Sequence, residues 1–101
     1  MEFTNISDYE MARRLVLICA FNALEEKRSP LPSDVEKRHK QVVWDLEAWG
    51  YLTCLQGRYW LNQAGVAHWR QIVNDHYKRY NHSLPRVVKL YNEDGTRKGT
   101  A

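Results

Sequence analysis

The residues best equipped to bind something fall in one stretch. If residues 34–49 are helical, Lys37, Lys40, Gln41, Trp44 and Ala48 share one side of the helix at 100° per residue. Lys37 and Lys40 supply charges that neutralise phosphates. Gln41 carries the donor and acceptor needed to read an adenine edge. Trp44 is the unusual member. Helix formation does not call for a large aromatic in the middle of a polar face, and Trp is a favoured anchor at protein interfaces. Three readings stay open for it: packing under its own C-terminal tail, contact with a protein or a second copy, and contact with nucleic acid. Arg58 lies beside a hairpin turn, where a guanidinium can reach a phosphate. A solvated hairpin arginine is the plainer reading.

Catalytic signatures are missing. The sequence has no glycine-rich phosphate loop, no Gly-x-Ser-x-Gly and no His-Glu-x-x-His. Asp45 and Glu47, two apart on a helix, point to different sides and make no carboxylate pair. The expectation is a protein that is not an enzyme and takes no cofactor. His68 and His76 share a helix side, but no Cys, Asp or Glu completes a metal set beside them. His39, on an apolar face, reads as a histidine at the edge of the core. Cys19 and Cys54 have apolar neighbours and no close spacing, so both read as buried thiols.

Charge is unevenly distributed. Residues 1–57 hold seven Lys/Arg against nine Asp/Glu, and residues 58–101 hold eight against three. The second half offers a positive field that suits nucleic acid or an acidic protein surface. At 101 residues the chain has room for one core. No run approaches the roughly 18 apolar residues of a membrane span. The N-terminus lacks the pattern of a signal peptide, so a cytoplasmic location is expected.

These residues need elements to hold them. A helix over 8–26 starts with a capping box, Ser7 and Glu10, and a staple of Ile6 on Met11. Its dense apolar content, Leu15 to Phe21, predicts burial on most sides. Pro30 and Pro32 interrupt. A second capping box, Ser33 with Glu36, opens a helix that runs to Trp49 and stops at Gly50. Val35, His39, Val42, Val43, Leu46 and Trp49 form its core side. Residues 51–55 and 58–61 read as strands joined by Gln56-Gly57. Asn62 caps a helix over 63–80. Val66, Trp69, Ile72, Val73, Tyr77 and Tyr80 line one face of it. Residues 86–91 read as a short strand, 92–95 as a turn and 96–101 as a disordered end.

Two stretches carry a family resemblance. Asp45-Leu46-Glu47-Ala48-Trp49-Gly50-Tyr51-Leu52 resembles the end of a recognition helix entering a wing. Gly57-Arg58-Tyr59-Trp60-Leu61-Asn62-Gln63-Ala64-Gly65 resembles the strand-to-helix junction of MarR- and PadR-type regulators, with Asn62 where Thr usually stands. The chain thus resembles a winged helix-turn-helix domain over residues 8–80. The fold implied is mainly α with a two-stranded wing: a domain at 1–82 and a partly disordered extension at 83–101. One departure stands out. The helix that should precede the recognition helix falls near Pro30 and Pro32, so it must be very short or absent.

The resemblance implies a small DNA-binding transcriptional regulator of the kind frequent in phages and mobile elements. Helix 34–49 would enter the major groove of double-stranded DNA, with Arg58 on the backbone. The last helix would build a homodimer through Trp69, Ile72, Val73, Tyr77 and Tyr80. The alternative is a protein-binding adaptor or inhibitor that keeps the scaffold and no longer reads DNA.

Overall fold

A computed structural model describes residues 8–79, with side chains through 76, and residues 89–98. Helix α1 spans Asp8–Asn22 and continues as one π-helical turn, Ala23–Lys27. Helices α2 (Ser33–Arg38) and α3 (Lys40–Ala48) follow. Strands β1 (Leu52–Leu55) and β2 (Arg58–Leu61) precede α4 (Gln63–Arg79). The described chain is therefore mainly helical with one antiparallel hairpin. No helix among the described residues is long and apolar enough to cross a membrane.

The core gathers one side of every long element. Val16, Leu17, Ala20 and Phe21 of α1 meet Leu31, Val42, Val43, Leu46, Leu52, Leu61, Val66 and Trp69. The burial expected on most sides of α1 is not found. Tyr9, Met11, Leu15 and Ile18 are exposed, because a single layer of partners covers only the opposite side. Ser7 and Ile6 lie outside the described residues. Glu10 accepts hydrogen bonds from Arg13 at 2.6 Å and Arg14 at 3.2 Å. The helix stops where Arg28 turns left-handed, at φ 50°.

The expected single helix over 34–49 is two helices. His39, at φ −124° and ψ 46°, ends α2 with its N–H on the Val35 carbonyl. Its own carbonyl then accepts the Val43 N–H and starts α3. No glycine or proline marks the break. The predicted Ser33–Glu36 box is absent: Pro32 is the cap residue, and no side chain caps the helix. Glu36 faces Arg58 instead, at 3.9 Å.

The end of α3 follows the sequence closely. Gly50 sits at φ 90°, its N–H on the Glu47 carbonyl and the Tyr51 N–H on the Leu46 carbonyl. This paired arrangement satisfies the last free carbonyls of a helix. Trp49, placed in the core by its spacing, is half exposed. It is the cap residue, and the Arg13 guanidinium lies over its ring, with Cζ 5.9 Å from the centroid.

The hairpin pairs Leu52 with Leu61 and Leu55 with Arg58. Gln56 and Gly57 both have positive φ, 51° and 77°, as a tight two-residue turn requires. The Leu31 N–H bonds the Tyr59 carbonyl at 2.8 Å, which lays the proline segment along β2. Cys54 is exposed, and Cys19 is half buried. Cys54 shares a hairpin face with Leu52 but lies two residues further out, past the edge of the core. Burial pushes the Cys19 thiol pKa up.

Asn62 ties the hairpin to α4. Its Oδ1 accepts the Gly65 N–H at 2.8 Å, and its Nδ2 donates to the Gly50 carbonyl and to Thr53. Asn62→Ala is expected to cost about 1–2 kcal/mol, read as a lower urea midpoint with an unchanged slope. Asn62→Asp keeps the cap but loses both donated bonds, and should fall between the two.

Thr96, Arg97 and Lys98, expected in a disordered end, are part of a docked turn. Tyr91 and Arg97 bridge across it, where a longer strand over 86–91 was expected. The described part of that stretch begins at Lys89. Tyr91 is buried edge-on against Phe21. Its hydroxyl donates to Glu25, which also takes two bonds from Arg97, at 2.6 and 2.9 Å. Burial opposes ionisation of Glu25, but these donors outweigh it and lower its pKa.

Candidate functional site

Helix α3 and the hairpin present the predicted binding residues. Lys37 lies in the last turn of α2, and Lys40, Gln41, Trp44 and Ala48 lie along α3; all are exposed. Trp44, 52 % exposed, stands near Tyr59 of β2. It does not pack under the C-terminal turn, whose bonds run to Glu25, Gln63 and Arg70.

The polar residues around Trp44 are less free than the sequence suggests. Gln41 donates to Asp45 at 3.0 Å. Asp45 also accepts the Tyr9 hydroxyl at 2.5 Å, and burial together with that bond pushes the Tyr9 pKa up to about 12. Arg58 donates to the Leu31 carbonyl at 2.8 Å and faces Glu36. It latches the proline segment to β2 while its side chain stays partly exposed. Burial, then the charges of Glu47 and Glu36, raise the Tyr59 pKa, so the surroundings of Trp44 on the hairpin side are acidic.

The expected positive field does not lie here. Residues 33–61 hold Lys37, Arg38, Lys40 and Arg58 against Asp34, Glu36, Asp45 and Glu47, which leaves no net charge. Two cations of the second half are engaged by groups of this chain: Arg70 by the Tyr91 carbonyl, Arg97 by Glu25. The side chains of Lys78, Arg79 and Arg86 lie outside the described residues.

The proposed dimer face divides. Trp69 stacks on Phe21 with ring centroids 4.0 Å apart and is buried. It belongs to this chain's core, because its partner ring is on α1. Ile72 and Val73 are half buried against the same core. Tyr80 and the side chain of Tyr77 lie outside the described residues. The larger exposed apolar surface is on α1, where Met11, Leu15 and Ile18 line a groove with Ala12 and His39. Its spacing was legible in the sequence, but a crowded apolar run hides which side is left over.

Among the described residues, no group of three or more His, Cys, Asp or Glu is placed to hold a metal. His68 stacks on Tyr51 with ring centroids 4.2 Å apart, and its Nε2 is buried without a partner. Burial, then the Arg13 charge, lowers its pKa below the ordinary 6.5. The fold thus favours neutral His68. Its contribution is complete above pH 6.5 and is lost as pH falls through the lowered value. Urea midpoints should drop between pH 7 and pH 5, and His68→Phe should remove that part of the drop. An equal drop in the variant would assign it elsewhere.

Comparison with protein-family models, with curated proteins and with solved structures found no match.

Proposed function

We propose that this protein is a protein-binding module on a winged-helix scaffold, with its contact surface centred on Trp44. The element order supports the scaffold: a long helix, a segment laid on the hairpin at Leu31, two short helices, the hairpin and a closing helix. The observation that carries the function is the half-exposed Trp44 within a segment, residues 33–61, of zero net charge. DNA binding draws on unpaired cations aimed at phosphates. Here the hairpin arginine is engaged by the Leu31 carbonyl and Glu36, and acidic groups border the tryptophan. Protein anchors, by contrast, are enriched in Trp and tolerate mixed charge around them.

One observation favours the second reading, a DNA-binding regulator. Lys37, Arg38 and Lys40 are all exposed around the break between α2 and α3. They form a small basic corner that could meet a phosphate.

Peptide display against the immobilised protein separates the readings at the residue level. Selected binders should lose at least about 2 kcal/mol on Trp44→Ala, roughly thirtyfold in affinity. They should tolerate a Lys37→Ala, Lys40→Ala double variant. Thermal stability of Trp44→Ala should stay near wild type, since the side chain is half exposed. Binders indifferent to Trp44 would refute the reading.

A further inference from the structure

Aromatic rings on this molecule recur with a carboxylate and a guanidinium. Arg13 donates to both oxygens of Glu10, at 2.6 and 2.7 Å, and its Cζ lies 5.9 Å from the centre of the Trp49 ring. Arg97 donates to both oxygens of Glu25, and its Cζ lies 5.5 Å from the centre of the Tyr91 ring. In each set the carboxylate holds the guanidinium and the ring offers it a π face.

Trp44 has two of the three parts. Its ring is half exposed, and Glu47 is exposed one helical turn further along α3. Among the described residues Glu47 has no ion pair, and no cation lies over the Trp44 ring. Arg58, the cation of the hairpin, is held by the Leu31 carbonyl and Glu36. Glu47 also sits in the last turn of α3, where the helix dipole adds to its negative potential.

We infer that the Trp44 surface receives an arginine from a basic segment of a partner protein, laid over the indole with its guanidinium against Glu47. This rests on reading the face as a protein contact. Charge complementarity at the C-terminal end of α3 selects the occupant: exposed Lys40 lies one turn before Trp44, but exposed Glu47 lies one turn after it, beside the negative end of the helix, and there a phosphate or an acidic segment would be repelled. Arginine suits the site better than lysine, because its planar group can stack on the ring and bond a carboxylate through two donors.

The indole N–H signals of the four tryptophans report on the site by ¹⁵N-correlated NMR. Tetra-arginine peptide should move the Trp44 signal in a saturable way, tetra-lysine less, and tetra-glutamate not at all. Glu47→Gln should weaken the tetra-arginine effect roughly three- to fivefold, the fold-change of an exposed contact, and added salt should weaken it further. Tetra-arginine leaving Trp44 unmoved, or acting equally on Glu47→Gln, overturns the inference. An uncharged amphipathic peptide moving Trp44 where tetra-arginine does not would overturn the arginine assignment but keep the protein contact. A short DNA duplex moving Trp44 would overturn both.

Discussion

Trp69→Ala is expected to destabilise the fold by about 3–5 kcal/mol, the range for deleting a buried large aromatic. Trp69 is 6 % exposed and lies flat against Phe21, which is fully buried. Removing the indole takes away that stacked contact and leaves a hole between α1 and α4 that two helices cannot close by side-chain shifts alone. Domains of this size have a total stability of about 5–15 kcal/mol, so the variant should be marginal at 37 °C. Urea unfolding followed by circular dichroism reads this directly. The sequence alone assigned Trp69 to a dimer interface, and the two roles predict different results. An interface tryptophan would give concentration-dependent unfolding and a small loss in dilute solution. A core tryptophan gives a large loss that does not depend on concentration.

Tyr91→Ala should cost a similar amount, about 3–5 kcal/mol. The ring is 7 % exposed and edge-on to Phe21. Its hydroxyl bonds Glu25, its carbonyl takes Arg70, and Arg97 lies over the ring. Tyr91→Phe keeps the ring and loses one bond, so about 1 kcal/mol is expected. The turn is also fixed at Gly95, at φ 92°, where an added Cβ would sit 2.0 Å from the Gln63 carbonyl oxygen. Gly95→Ala should therefore lift the turn away and reproduce most of the Tyr91→Ala loss. Near-wild-type stability in both alanine variants would mean that residues 89–98 contribute nothing to the fold.

Local chemistry was the legible part of this sequence. Gly50 and Asn62 end and start helices through bonds to residues within a few positions, and Gln56-Gly57 makes its turn alone. What escaped depends on contacts far along the chain. Tyr91 and Arg97 reach Glu25 across 66 and 72 positions, and no local pattern announces that. An apolar stripe on α4 looks the same whether Phe21 or another molecule covers it. The break at His39 has no Gly or Pro to signal it. Within the candidate site, the exposure of Lys37, Lys40, Gln41 and Trp44 followed from helical spacing. The engagement of Arg58 did not, because its acceptor is a backbone carbonyl in the proline segment.

The central claim is that the face around Trp44 meets protein and not DNA. Fluorescence anisotropy of a labelled random-sequence duplex, titrated with the full chain at two salt concentrations, tests it most directly. At physiological salt the account predicts no binding tighter than about 100 µM, the weak end of non-specific DNA affinity. Any residual binding at low salt should be unchanged by the Lys37→Ala, Lys40→Ala double variant. Micromolar binding that falls steeply with salt, and that the double variant loses, would contradict the account and make the basic corner between α2 and α3 a DNA contact.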